Sequence, residues 1–207
     1  MKIRRTANAG VCIEMDETTI LLDGICGEVV PYLKTPDNIK TEFLNNLPDA
    51  VLFTHKHTDH FDESYAEYLN NNSFRSVFGP ESLYSGIIGK VNVTSVETRH
   101  IGKTDIMHCS FVLEGSRVIW FMGDASPNEL KKVSGFKAPD ILVVPYAYAI
   151  SDFAWRTTKS LGAKAVVLVH LPERQNDPYN LWNEVEKYTK SEENVYIPEM
   201  NKTLIFD

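Results

Sequence analysis

Short apolar runs, separated by turn residues, recur along the whole chain. In the first half, residues 11–15, 19–22 and 50–53 are apolar or alternate between apolar and polar, and Gly, Asp or Pro residues bound them. This pattern is typical of β-strands, in which side chains point to opposite faces with period two. The same criteria predict strands in the second half at 111–113, 118–121, 141–144, 165–169, near Val195 and at 203–206.

Helices are predicted between these strands from residues that favour helix ends. Asp62 precedes a predicted helix over 63–70 as its N-cap, and Pro80 stands where the first turn of a helix over 81–88 would begin. Further helices are predicted at 128–133, at 152–161, where Gly162 ends the helix, and at 179–189.

Strands and helices therefore interleave along the chain. The apolar face of a sheet and the apolar stripe of a helix must each be buried against another layer. A four-layer αββα sandwich, in which two mixed β-sheets pack face to face with helices outside, buries every apolar run, and we expect this α/β architecture. An ordinary three-layer α/β sheet is the alternative. Because the 207 residues contain no repeat, low-complexity tract or linker, one domain over residues 1–207 is expected.

Composition and charge narrow the possible functions. The chain has 28 acidic and 21 basic residues and a net charge of -7, so it offers no generally positive surface to a nucleic acid or an anionic membrane. It also has no apolar run typical of a secretion signal or a membrane span, so we expect a cytoplasmic protein. Cys12, Cys26 and Cys109 are widely spaced and are expected to be small buried side chains rather than disulfide partners or metal ligands.

Residues 54–60 read Thr-His-Lys-His-Thr-Asp-His and follow the apolar run 50–53 directly. In an extended segment His55 and His57 lie on the same side and can reach one cation, while Asp59 and His60 turn towards a second. Imidazole nitrogens and carboxylate oxygens are ligands of Zn²⁺, and three protein ligands with one open position are typical of a catalytic site. By ligand type alone, Mn²⁺ or Fe²⁺ is also possible.

With this HxHxDH segment in place, the chain resembles the metallo-β-lactamase-fold hydrolases over essentially its whole length. The other shared features are Ile-Leu-Leu-Asp at 20–23, Gly-Asp at 123–124 and a histidine at 170 that ends the strand 165–169. The resemblance implies the αββα sandwich, with a two-metal site at the edge where the sheets meet. It also implies these ligands: His55 and His57 for the first metal, Asp59, His60 and His170 for the second, and Asp124 as a bridge.

The third ligand of the first metal has two candidates, because both His100 and His108 fall in the window where this family carries a histidine. We favour His100, since residues 96–99 end a strand directly before it, as in the family. His108 instead stands where the next strand begins.

The resemblance implies hydrolysis without a side-chain nucleophile. Two divalent ions, expected to be zinc, would hold a water between them and lower its pKa so that hydroxide attacks the substrate. Asp59 would hold the second metal and orient this water. Asp23 is expected either to accept a hydrogen bond from the ligand segment or to start a turn before Gly24. Related diiron oxygen-reducing proteins carry an acid where this chain has His57, which disfavours a redox role.

The expected substrate is a small ester, lactone or phosphodiester, because the chain looks most like the branch that contains sugar-phosphate lactonases and small phosphodiesterases. Tyr146 and Tyr148 follow the strand 141–144 and would either hydrogen-bond the substrate or pack in the core. A non-catalytic, metal-stabilised binding or regulatory module is the alternative function, although the intact ligand set argues against it. Four cations are candidates for binding an anionic substrate group, or are solvated surface charges: Lys56, Arg99, Lys103 and Arg156.

Overall fold

Two mixed β-sheets lie at the centre of the molecule. The computed structural model describes residues 1–72, 74, 76–102 and 105–207. Its strands are β1 (Lys2–Arg5), β2 (Val11–Met15), β3 (Thr18–Leu22), β4 (Ala50–Leu52), β5 (Val77–Phe78), β6 (Ser85–Ile88), β7 (Val91–Glu97), β8 (Cys109–Glu114), β9 (Val118–Phe121), β10 (Ile141–Pro145), β11 (Ala165–Val169), β12 (Val195–Tyr196) and β13 (Thr203–Ile205). The first sheet has the order β13-β1-β2-β3-β4-β5, and the second has the order β12-β11-β10-β9-β8-β7-β6.

Helices cover the outer face of each sheet. The helices are α1 (Asp37–Asn45), α2 (Glu63–Asn71), α3 (Leu130–Val133), α4 (Asp152–Ser160) and α5 (Leu181–Thr189). The apolar side chains of α1 and α2 pack against the first sheet, and those of α3, α4 and α5 pack against the second. The four-layer αββα sandwich predicted from the sequence is therefore confirmed. Within the described part of the chain, no helix is long and apolar enough to cross a membrane.

Burial on both faces explains why several strands are continuous apolar runs. In β11, Ala165, Val167 and Val169 point into the core between the two sheets, whereas Val166 and Leu168 face the helices. Each sheet is thus covered on both sides, as is usual for parallel strands. Cys12, Cys26 and Cys109 are also buried, and none of them forms a disulfide, as predicted.

The helix predicted over 81–88 is wrong. Residues Ser85–Ile88 form β6, which pairs with β7 in an antiparallel hairpin. Gly89 has a φ of 57° at the first position of the two-residue turn, where glycine is favoured because side chains disfavour positive φ. Ile87 and Ile88 pair with residues of β7 across this turn, and this pairing outweighs the tendency of Pro80 to begin a helix.

Other helices and strands either begin close to where the sequence predicts or have no sequence signal that marks them. The carboxylate of Asp62 accepts a hydrogen bond from the Tyr65 main chain at 2.9 Å, so the predicted N-cap of α2 is confirmed. The helix predicted from residue 179 begins at Leu181. Strand β1 and helix α1 were not predicted, because β1 is mostly basic and α1 has only two buried residues, Ile39 and Phe43.

Candidate metal centre

The residues expected to bind metal meet at one edge of the two sheets. Strands β3 and β4 are parallel, and Asp23 and the segment 55–60 follow their carboxyl ends. In the second sheet β9, β10 and β11 are parallel, and Asp124, Tyr146 and His170 follow their carboxyl ends. Because parallel strands end at the same edge, this topology brings residues far apart in sequence into one cluster.

The cluster contains overlapping groups of potential ligand atoms. Within each group, one ligand atom from every residue lies within 4.8 Å of the others. The groups are His55, His57 and His100; His55, His60 and Asp124; and Asp59, His60 and His170. We call the first group the first half of the cluster and the last group the second half. Asp124 lies between them, because one of its carboxylate oxygens is within 3.7 Å of His100 in the first half and of His60 and His170 in the second.

Three buried imidazole nitrogens of the cluster make no well-aligned hydrogen bond with any described residue, although carboxylate oxygens lie near them. They are the Nε2 atoms of His60, His100 and His170. These atoms lie 3.3, 3.7 and 3.4 Å from one carboxylate oxygen of Asp124, and His170 Nε2 is also 3.2 Å from Asp59. Buried polar atoms without well-formed hydrogen bonds are costly and rare in folded proteins. A cation among these nitrogens and carboxylates would satisfy all of them, so the donor set fits divalent metals.

The second half of the cluster is rich in charge. Burial disfavours the charged form of His60, but Asp124 and Asp23 outweigh burial and raise its pKa well above the usual value. In the same way Asp124 and Asp59 outweigh burial and raise the pKa of His170 to about 9. The two imidazoles in turn hold the pKa of Asp124 well below its usual range, against the effect of its burial.

The first half consists of imidazoles alone. Burial, with a contribution from the neighbouring His60, lowers the pKa of His55 far below its usual value, so this ring is neutral. Its Nε2 atom lies 3.0 Å from Nδ1 of His57. The main-chain carbonyl of Ile101 lies 2.7 Å from Nδ1 of His100, and a hydrogen bond from Nδ1 leaves the lone pair on Nε2, which faces the cluster.

Asp23 contacts residues of both halves of the cluster, His60 directly and His55 through the Thr54 hydroxyl. This fully buried carboxylate accepts hydrogen bonds from the main chain of Thr54 at 2.7 Å and from its hydroxyl at 2.6 Å, and its Oδ2 atom is 2.8 Å from Nδ1 of His60. The Thr54 hydroxyl is also 3.0 Å from Nδ1 of His55. Of the two predictions for Asp23, this geometry supports the acceptor that steadies the ligand segment. No sequence signal marked Thr54 for this role.

The geometry also supports His100 over His108 as the third imidazole of the first half. Both ring nitrogens of His108 are engaged within the protein: Nε2 accepts from the Asp124 main chain at 3.1 Å, and Nδ1 lies 2.8 Å from the Thr98 hydroxyl. Burial is the main cause that lowers the pKa of His108 to about 3, so the ring is neutral.

The two predicted tyrosines have different surroundings. Tyr148 is fully buried and its hydroxyl donates to the Ala125 carbonyl at 2.7 Å, so it packs rather than faces the cluster. Tyr146 is half-buried, and its ring centroid lies 6.3 Å from that of His170. Tyr32, which no sequence signal marked, contacts His170 edge-on, with ring centroids 4.5 Å apart, and lies near Tyr146.

Of the candidate cations, Arg99 shares a surface cavity with a residue of the cluster. It lines a surface cavity of about 470 Å³ together with His100, Leu83 and Met107. The side chain of Lys56 is exposed and pairs with Glu81 at 2.7 Å. Arg156 is exposed on α4 and donates to the main chain of its own helix. Lys103 lies outside the described residues.

Solved structures with this fold include metal-dependent hydrolases. A possible metal-dependent hydrolase from Veillonella parvula DSM 2008 aligns with a TM-score of 0.72 and 16% identity over 99% of this chain and 98% of that one. An isothiocyanate hydrolase from Delia radicum gut bacteria aligns with a TM-score of 0.66 and 18% identity over 100% and 99% of the two chains. CmlA, a diiron β-hydroxylase from Streptomyces venezuelae, aligns at 0.60 and 15% over 99% and 54%. At these identities the likeness supports the fold alone.

Sequence comparison gives the family. The UPF0173 protein YddR of Bacillus subtilis (strain 168) is 23% identical over 175 residues, which are 75% of this chain and 64% of that protein. The match thus spans less than two thirds of that relative. A family model described as the beta-lactamase superfamily domain matches residues 2–170, which include every residue of the cluster. The chain therefore belongs to the beta-lactamase superfamily domain family.

Proposed function

We propose that this protein is a hydrolase with two divalent metal ions that cleaves a small ester, lactone or phosphodiester. The observation that carries the proposal is the convergence of three buried Nε2 atoms, none with a well-aligned hydrogen bond, on one oxygen of the Asp124 carboxylate. Family membership and the fold shared with metal-dependent hydrolases support it.

The cluster supplies a ligand set for each ion. His55, His57 and His100 would hold the first metal, and Asp59, His60 and His170 would hold the second, with Asp124 shared between them. Two such ions supply Lewis-acid activation of a water and polarise the substrate oxygen.

Side chains of this protein would orient the attacking water, position the metal ligands and bind the substrate. Asp59, which is less buried than Asp23 or Asp124, would accept a hydrogen bond from the attacking water and orient it. Asp23 would keep the imidazoles of His55 and His60 in the tautomers that leave Nε2 free for metal. The hydroxyls of Tyr32 and Tyr146 lie on the side of His170, where they would hydrogen-bond the substrate.

Zinc is the metal we propose, because an imidazole-rich set with few carboxylates suits it. The diiron neighbour makes iron the main competitor, and manganese is a third possibility by ligand type. The isothiocyanate hydrolase widens the range of bonds worth testing to other small electrophiles attacked by water. A metal-stabilised binding module would also fit the cluster, but the complete set of ligands favours turnover.

Elemental analysis and two assays test the proposal. The purified protein would be assayed on bis(p-nitrophenyl) phosphate and on a simple lactone, each after reconstitution with zinc, manganese or iron. We expect about two metals per chain and hydrolysis that Asp59→Asn abolishes. Two metals without turnover of either substrate would favour the binding module, and absence of metal binding would refute the proposed centre.

A further inference from the structure

The turn that carries Asp124 is held in place by three buried side chains that the proposed function does not use. They are His108, Thr98 and Ser110. We infer that His108 is a positioning residue that fixes the main chain of Asp124, and with it the carboxylate between the two halves of the cluster. This inference rests on the proposed metal centre.

A continuous chain of hydrogen bonds carries the inference. The Asp124 main-chain N–H donates to Nε2 of His108 at 3.1 Å, and Nδ1 of His108 lies 2.8 Å from the Thr98 hydroxyl. The Thr98 hydroxyl lies 3.0 Å from that of Ser110, which donates to the Met122 carbonyl at 3.0 Å. The chain thus begins and ends on the same short turn, at Asp124 and at Met122.

Proton counting leaves one direction for these bonds. A main-chain N–H can only donate, so Nε2 of His108 accepts and the ring proton sits on Nδ1. The Thr98 hydroxyl oxygen accepts a hydrogen bond from this Nδ1–H, and the Thr98 hydroxyl donates to Ser110, because the Ser110 hydroxyl already donates to the Met122 carbonyl. His108 is therefore a neutral ring in one defined tautomer, and each side-chain polar atom in this series of hydrogen bonds has a partner.

The strand register places His108 where this contact forms. Phe111 of β8 pairs with Phe121 of β9, and continuing the same register sets His108 opposite Asp124. Thr98 stands on the other side, because its main-chain N–H donates to the His108 carbonyl at 3.1 Å and extends the pairing of β7 with β8.

The turn needs such a restraint. Gly123 has a φ of 54°, and a Cβ atom there would approach the Thr54 side chain to 2.5 Å, so only glycine fits between Met122 and Asp124. Glycine restricts its backbone less than any other residue, yet the Asp124 carboxylate must stay within reach of both metal positions. Hydrogen bonds at both ends of the turn supply the restraint that glycine lacks.

A role as metal ligand would break this arrangement. Nε2 of His108 would have to release the Asp124 N–H and leave it buried without a partner. The inference therefore separates the two histidines of the same window: His100 completes the first half, and His108 orients the carboxylate beside it.

Two pairs of variants test the restraint through metal affinity. His108→Ala removes the acceptor, whereas His108→Gln can place an amide oxygen near the position of Nε2. Thr98→Val removes the hydroxyl that fixes the tautomer, whereas Thr98→Ser keeps it. The affinity of each site would be measured by competition with a chromogenic chelator, and unfolding of the metal-free proteins would be measured in parallel.

We expect His108→Ala to weaken binding of at least one zinc by about 10- to 100-fold, the range found for residues that orient metal ligands. His108→Gln should recover most of this loss, and Thr98→Val should lose more affinity than Thr98→Ser. Ser95→Ala, which removes another buried hydroxyl of β7 that bonds only the main chain of Tyr84, is the control and should leave affinity unchanged. Equal affinity in wild type and His108→Ala, or equal losses in the Ala and Gln variants, would overturn the inference.

A spectroscopic measurement separates this inference from the proposed function. Two-bond ¹H–¹⁵N correlations of the metal-free protein at neutral pH should show His108 protonated at Nδ1 and not at Nε2. On zinc addition, Nε2 of His100 should shift strongly and that of His108 should not. A His108 Nε2–H tautomer, or a zinc-induced shift as large as that of His100, would refute the positioning role. A protein that shows the expected tautomer but binds no zinc would refute the proposed function instead.

Discussion

The two halves of the cluster hold their side chains by different means. The first half has only imidazoles, and His55 is neutral because it is buried. In the second half, carboxylates lie against His60 and His170 and raise their pKa values. A proton can thus occupy the second half when no metal is bound, because carboxylate oxygens lie within 3.4 Å of its imidazoles, whereas Asp124 is 3.7 Å from His100 in the first half. We therefore expect the metal-free protein to keep the second half ordered and the first half to depend on its metal.

Removal of one imidazole from each half should have the largest effect and gives a direct test of this difference. His100→Ala and His170→Ala delete rings of similar burial, and each should lower hydrolysis by about 1,000-fold or more, or about 4 kcal/mol, because both ions are needed. His170→Ala should destabilise the metal-free protein more than His100→Ala, since it removes two close carboxylate contacts, with Asp59 and Asp124, whereas His100 has one longer contact with Asp124. Thermal unfolding in chelator would check this, and equal melting temperatures of the two variants would contradict the comparison.

The raised pKa of His170 predicts a pH dependence of the metal-free protein. A pKa of about 9 in the folded state lies above the value of about 6.5 in the unfolded chain. The stabilisation is therefore complete below pH 6.5 and is lost as pH rises towards 9, by about 3 kcal/mol. Urea unfolding in chelator between pH 6 and 9.5 would measure it. His170→Gln should remove the part of this dependence that His170 contributes and leave the part due to the raised pKa of His60, whereas His100→Gln, the matched control in the first half, should retain both parts.

The sequence predicted best those parts of the site whose interacting residues lie close together along the chain. The HxHxDH segment places four side chains within six residues, so local geometry alone predicted a metal site. Spacing alone left both His100 and His108 as candidates, because strand register and the turn at Gly123 decide that Nε2 of His108 accepts from the Asp124 main chain, whereas His100 joins the first half.

Contacts that arise from the packing of loops or from strand pairing left even less of a signal in the sequence. Tyr32 lies in an irregular loop, and only the folded chain brings it to His170. The helix wrongly predicted at 81–88 shows the same limit, since pairing with β7 outweighed the local signal of Pro80.

Substitutions of Asp23 and Thr54, which lie behind the metal ligands, should have intermediate effects and show how independently the two halves bind metal. Asp23→Asn disturbs the contacts with both Thr54 and His60, so it should weaken both metals by about 10- to 100-fold. Thr54→Val keeps the side-chain shape and removes the hydroxyl that lies beside His55 and donates to Asp23, so it should weaken the first metal by about 10-fold and the second metal less. Stepwise zinc titration would resolve the two sites. Loss of both metals in Thr54→Val would show that the halves are not independent.

The smallest effects are expected at the two tyrosines, which test which side of the cluster the substrate approaches. The Tyr146 hydroxyl lies beside the second half, so Tyr146→Phe should raise KM by about 3- to 10-fold, the value of one hydrogen bond, and leave the unfolding temperature unchanged. Tyr148→Phe removes a buried hydrogen bond to Ala125 and should do the reverse, lowering stability by about 1 kcal/mol without changing KM. Steady-state kinetics and thermal unfolding of both variants would distinguish these outcomes. If Tyr146→Phe leaves KM unchanged, the substrate does not contact this side, and the cavity lined by Arg99 beside the first half becomes the approach to test.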